Sequence, residues 1–142
     1  MTFKKITDEF SVAPQISVAE VAIAAEEGFK TVICNRPSEE VGQPDTAEMT
    51  RAITDAGMEY IYQPVVSGNI TYADIAYFGE LLEKSEKPIL AYCRSGTRCS
   101  TLWALAEAPQ RSIDEILNLT AAAGYDYSGM RGTLESLKKN SE

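Results

Sequence analysis

The chain of 142 residues is predicted to be an α/β protein with a mainly parallel central sheet flanked by helices. Three observations point there. Short β-branched runs alternate with longer stretches of helical periodicity. Ser, Asp and Thr caps open most of those helices, and glycines close two of them. The resulting β-α-β-α-β-α-β order requires right-handed crossovers, which place helices on both faces of a parallel sheet.

The elements follow in order. Ser17-Val18-Ala19-Glu20 is a capping box, so a helix starts there and Gly28 ends it. Phe29-Lys30-Thr31-Val32-Ile33-Cys34 is a buried strand, broken by Asn35-Arg36-Pro37, and a polar loop runs to Pro44. Asp45, with Glu48 three residues on, caps a second helix that Gly57 terminates. Residues 58–63 form the next strand and 64–70 a loop. Thr71-Tyr72-Ala73-Asp74 opens a third helix through about Lys84. Pro88-Ile89-Leu90-Ala91-Tyr92 is the fourth strand, which places one strand, of unassigned bounds, ahead of Ser17. Helices are expected over 100–107, from Ser112 to about Ala123, and from about Gly129 to Lys139. No repeat, low-complexity tract or linker interrupts the chain, so residues 1–142 are expected to form one domain.

Composition narrows the chemistry. A net charge of −8 argues against nucleic acid as a partner, because phosphate-backbone binding needs clustered Lys and Arg. It leaves room for a small anionic substrate in a local positive pocket. The first ten residues are polar with both charge signs and do not resemble a signal peptide, and no apolar run is long enough to span a bilayer. The expected compartment is therefore the cytoplasm, with no membrane partner. The chain contains no histidine, which excludes Ser-His-Asp and Cys-His triads and the usual His-containing zinc sites. Its three cysteines, Cys34, Cys93 and Cys99, are too few for a zinc ribbon, so neither metal nor cofactor is expected. Cysteine chemistry without a histidine partner remains.

That chemistry centres on Cys93-Arg94-Ser95-Gly96-Thr97-Arg98, between the fourth strand and a helix. Ligands of open parallel sheets sit at such strand ends. Gly96 can supply the positive φ of a tight loop, and successive amides from Arg94, Ser95, Gly96 and Thr97 can converge on an anion at the helix's positive end. Aimed amides and guanidinium should lower the Cys93 pKa, and Arg98 can present a bidentate fork to two oxygens of a tetrahedral anion. The bland reading is a small buried thiol at a strand end; the Cys, Gly and Arg spacing favours chemistry over it.

The loop resembles those of rhodanese-type sulfurtransferases and of cysteine-based phosphatases. Over nearly its whole length the chain is similar to the phosphatase-like domain family of beta-lactamase hydrolase-like proteins, also described as a sulfurtransferase family. The match is carried by Thr31-Val32-Ile33-Cys34-Asn35-Arg36-Pro37, by Tyr60-Ile61-Tyr62-Gln63-Pro64-Val65-Val66-Ser67-Gly68-Asn69-Ile70-Thr71, and by residues 90–98. The resemblance implies a fold like that of dual-specificity phosphatases. It leaves the reaction open between sulfur and phosphoryl transfer.

Against the phosphatase pattern, four residues rather than five separate Cys93 from Arg98, so Cys99 stands at the phosphatase arginine's place. The loop expected to carry a general acid, Pro64-Val65-Val66-Ser67-Gly68-Asn69, has no carboxylate, and Ser67 stands near the acid's place. Asp74 is the nearest downstream candidate, although it fits the third position after the Thr71 cap. Tyr92 replaces the usual His. These departures favour a sulfurtransferase that moves sulfane sulfur from thiosulfate or a persulfide through a Cys93 persulfide, since sulfite leaves without a proton. The alternative is hydrolysis of phosphomonoesters through a phosphocysteine, and a third reading is a non-catalytic anion-binding module. Cys34 and Cys99 are candidate redox partners of Cys93, each with an inert buried thiol as its alternative, and Arg36 could add charge to the site or serve a structural ion pair. Donor, acceptor and oligomeric state are not specified by the sequence.

Overall fold

A computed structural model describes residues 3–141. Twelve elements follow in chain order: β1 (Lys4–Thr7), β2 (Phe10–Ala13), α1 (Val18–Glu26), β3 (Thr31–Cys34), α2 (Thr46–Asp55), β4 (Glu59–Tyr62), α3 (Tyr72–Lys84), β5 (Ile89–Tyr92), α4 (Thr97–Glu107), α5 (Ile113–Ala122), a 3₁₀ turn (Ser128–Met130) and α6 (Arg131–Asn140). The five strands form one sheet in the order β1-β2-β5-β3-β4. Only β1 runs antiparallel; β2, β5, β3 and β4 are parallel.

Crossover handedness accounts for the layers. From β2 the chain crosses by α1 to β3 and by α2 to β4, then returns by α3 to β5 between β2 and β3. Right-handed connections made in opposite directions lie on opposite faces. Val21 and Ala24 of α1 and Met49 and Ile53 of α2 accordingly pack on Val32, Leu90 and Tyr92. Phe78 of α3, Leu102 and Trp103 of α4, Ile116 of α5 and Leu134 of α6 pack on Val12, Ile33 and Ala91. Both faces are covered, which is why the parallel strands are buried throughout in β2, β3 and β5.

Local signals place the helix starts. The Ser17 and Thr71 capping boxes are formed, and the Asp45 and Ser112 side chains accept from the amides of Glu48 and Glu115. Two expectations shift. The strand ahead of α1 is a hairpin of two, because polar β1 forms a solvent-facing edge against β2. The helix after β5 begins at Thr97 rather than residue 100, with Gly96 at its N-cap and no side-chain cap. None of the described helices is long and apolar enough to cross a membrane.

Candidate active site

Strand β5 delivers Tyr92 to the sheet's carboxyl edge, and the chain turns through Cys93 to Gly96 into α4. Gly96 holds φ 87°, and a Cβ there would lie 2.3 Å from Tyr125 Oη, so only glycine fits without displacement. The loop's carbonyls are engaged away from its centre. Arg94 O accepts from the Gln15 amide, Ser95 O from Tyr125 Oη, Gly96 O from the Ser100 amide, and Thr97 O from Tyr127 Oη and Ser100 Oγ. With the carbonyls held this way, the Ser95 and Gly96 N–H groups face Cys93, and Gly96 N donates to its Sγ at 3.2 Å, whereas the Thr97 N–H that the sequence places in the ring goes to Ser95 Oγ at 3.4 Å.

Cys93 is 1% exposed, at the floor of this ring. Its pKa is pulled down to about 6, first by the Cys99 thiol beside it and then by the amides of Cys99, Gly96 and Ser95, against the raising effect of burial. The amides act as the sequence predicts, but the largest single cause is the neighbouring thiol, which the loop pattern does not report. Cys99, fully buried, is raised well above an ordinary thiol by desolvation and by its bond to the Cys93 anion, so it stays protonated and donates. Cys99→Ala is expected to move the midpoint of Cys93 ionisation upward from about 6. Thiolate ultraviolet absorbance against pH measures it, and an unmoved midpoint would refute the donor role.

Above the ring lies a cleft whose lining includes Glu40, Ser67, Arg94, Ser95, Thr97 and Arg98. Arg98 does not stand free in it. Its Nη1 donates to Glu40 Oε2 at 3.0 Å, to Val65 O at 3.0 Å and to Asn35 O at 3.4 Å, and Nη2 donates to Glu40 Oε1 at 3.3 Å. Among the described residues, Nε–H and the second Nη2–H have no partner, so that edge is the one available to an anion. Burial works to raise the Glu40 pKa, but Arg98 and Arg36 outweigh it and keep the carboxyl below the ordinary Glu value. Glu40 is therefore ionised near neutral pH and cannot serve as a proton donor there.

Arg36 is 4% exposed and structural: it donates through Nε to Glu40 Oε1, through Nη1 to Gln15 Oε1 and through Nη2 to Val41 O. It thus fixes the loop that carries Glu40. Arg94 and Thr97 are exposed at the cleft, and Ser95 Oγ bonds both the amide and the hydroxyl of Thr97. Asp74 lies outside the cleft, its Oδ2 accepting from the Thr71 amide at 3.0 Å in the α3 capping box. Cys34, paired in register with Tyr92, belongs to the apolar cluster under α1 and α2, whereas Cys93 and Cys99 belong to the opposite cluster. Burial raises the Cys34 pKa. No group of three or more metal-ligating side chains occurs among the described residues.

The sequence offers Tyr125 and Tyr127 as sheet packing or pocket rim without choosing between them, and does not single out Glu40. Glu40 reaches Arg98 across 58 residues and Tyr125 reaches Ser95 across 30, and no local pattern reports such pairings.

A thiolate at the base of an amide ring, at the carboxyl edge of a β2-β5-β3-β4 parallel sheet, defines a cysteine-phosphatase-like α/β fold. The chain belongs to the family described as the phosphatase-like domain of beta-lactamase hydrolase-like proteins, whose model matches residues 2–110. A beta-lactamase hydrolase-like protein of Agrobacterium fabrum is 38% identical over 134 residues, covering 92% of this chain and 31% of the relative. The chain thus spans about a third of that curated relative. A candidate phosphatase from Neisseria meningitidis, solved by crystallography, is 37% identical, with a TM-score of 0.84 over 96% of this chain and 99% of that one. The core catalytic domain of a PP-IP phosphatase from S. cerevisiae, in complex with citrate, shares the fold at 16% identity, with a TM-score of 0.72 over 99% of this chain and 91% of that one.

Proposed function

We propose that the domain is a phosphatase-type hydrolase in which Cys93 attacks the phosphorus of a small phosphoanion whose leaving group departs without needing a proton. The observation that carries the reading is a thiolate ionised from about pH 6, beneath inward-turned amides and beside the unpaired edge of Arg98. The phosphatase relatives support the phosphoryl group as the one transferred. In the first step an S–P bond forms and the P–O ester bond breaks, with its electron pair leaving on oxygen. Water then attacks the phosphocysteine, releasing phosphate and restoring the thiolate. Loop amides and the Arg98 edge hold the equatorial oxygens, and Arg94 adds the cleft's unpaired positive charge.

The missing acid restricts the substrate. Asp74 is committed to a helix cap and Glu40 is ionised, so nothing in the cleft matches a carboxylic acid that protonates an alkoxide. General acid catalysis is worth about 10²–10⁴ in rate, and substrates with aryl, acyl or phosphoanhydride leaving groups do not require it.

A second reading has its own support. Cys99, not an arginine, follows Arg98 and touches Cys93, and the absence of an acid suits sulfane transfer equally well. Here Cys93 attacks the outer sulfur of thiosulfate or a persulfide, the S–S bond breaks, and sulfite or a thiolate leaves with the electron pair. The Cys93 persulfide then passes its sulfur to cyanide or another thiol. A paired assay separates the two. Purified protein is given an aryl phosphate, and separately thiosulfate with cyanide. Phosphate release without thiocyanate is the expected result; thiocyanate without phosphate would replace the first reading with the second.

A further inference from the structure

The cleft continues into an apolar groove that neither reading uses. Three residues on α4 mark the path at helical spacing: Thr97 and Thr101 line the cleft, and Leu105, one turn further, lines the groove. Ile70 lines both. On the facing wall, Tyr72 and Ile75 at the start of α3 continue from Ile70, and Leu137 of α6 completes the groove. Eight residues of helix separate Thr97 from Leu105, so Leu105 stands about 12 Å along the trough from the mouth of the ring. Tyr72 is 79% exposed at its edge, the most exposed aromatic side chain among the described residues. Ile70, Ile75 and Leu137 are only partly buried against the core, leaving apolar surface open to solvent.

We propose that this groove binds the apolar body of the substrate whose anionic head occupies the ring, so that the natural ligand is an amphiphilic phosphoanion with an aryl, acyl or phosphoanhydride leaving group rather than a free inorganic anion. The proposal rests on the anion-binding reading of the Cys93 loop. Continuity carries it: one shared side chain and one helix stripe join a polar end bearing Arg94 and Arg98 to an apolar end bearing Leu105 and Leu137. A compact anion such as phosphate would leave that second half empty, whereas a head-and-tail ligand matches the polarity along the whole trough.

The test is calorimetric titration of the Cys93→Ser protein, which cannot turn over, with ethyl, hexyl and decyl phosphate and with decanol. Beyond hexyl, each added methylene is expected to tighten binding about two- to threefold, somewhat below full burial because the groove is open on one side. Decyl phosphate should then bind ~20- to 80-fold more tightly than hexyl phosphate. Leu137→Asp, and independently Ile75→Asn, should bring decyl phosphate close to the hexyl phosphate value of the same variant, with thermal melts confirming that each is folded. A flat series from hexyl to decyl phosphate in the presence of ethyl phosphate binding would overturn the groove proposal alone. Decanol binding as tightly as decyl phosphate would also overturn it, making the groove a separate apolar docking surface. No binding by any of the three phosphates would sink the anion reading of the loop and the groove proposal with it.

Discussion

Cys93→Ser is expected to lower kcat/KM at neutral pH by at least about 10⁴-fold, the scale on which removing a nucleophile collapses a covalent mechanism. The reason lies in ionisation. A serine hydroxyl in the same ring remains neutral at any accessible pH, whereas the thiol is held near a pKa of about 6. The same number fixes the pH profile of the parent. Below about 6 the thiol is protonated and the rate should fall tenfold per unit; above it the thiolate is fully formed and this group imposes no further rise. An ordinary thiol, at the free value of 9.0, would instead give a rate still climbing through neutrality. The measurement is kcat/KM against pH with an aryl phosphate, whose leaving group keeps protonation out of the profile. Retention of even a tenth of the activity in the serine variant would remove Cys93 from the chemistry. A limb near pH 9 would show that the ring does not stabilise the anion.

Much of this architecture was legible because its signals are local. Ser17, Asp45, Thr71 and Ser112 each satisfy amides within one turn, so sequence spacing alone locates the four helix starts. The start of α4 falls three residues earlier than the sequence predicts, because the helix opens on Gly96, an N-cap with no side chain to mark it. The hairpin escaped for a related reason. A four-residue edge strand carrying Lys4 and Lys5 has one inward side chain, Ile6, too little alternation to stand out from a polar terminus. Within the site, Cys93, Gly96 and Arg98 are neighbours in sequence and could be found. What Arg98 touches could not: Glu40, Asn35 and Val65 come from two other loops, brought together by the parallel register of β3 with β4 and β5. The sequence therefore presented Arg98 as a free fork. The fold shows half of that fork already paired, which holds the guanidinium in one orientation and makes Glu40 a positioning residue for it.

Gly96→Ala tests whether the ring depends on its backbone as closely as the geometry requires. At φ 87° an L-residue costs about 1–3 kcal/mol. The added Cβ would also stand 2.3 Å from Tyr125 Oη, on a ring stacked at 6.2 Å against Tyr127 and bonded to Ser95 O. The loop cannot relieve both without moving, and movement withdraws the Gly96 amide from Cys93 Sγ. The variant is expected to lose about 2 kcal/mol of stability or more, a Tm drop of roughly 5–10 °C for a domain of this size, as measured by differential scanning calorimetry. Loss of one preorganised donor should lower kcat/KM by about 10²–10³-fold. The ionisation midpoint of Cys93 should rise as well, since one of the amides that hold the anion is displaced. Tyr125→Phe provides the internal control: deleting the hydroxyl that the new methyl meets should restore part of the lost stability in the double variant but none of the φ cost. A Gly96→Ala protein with unchanged Tm and unchanged Cys93 ionisation would mean that the loop adopts a different backbone conformation, and the inward-facing amides on which the anion site is built would have no basis.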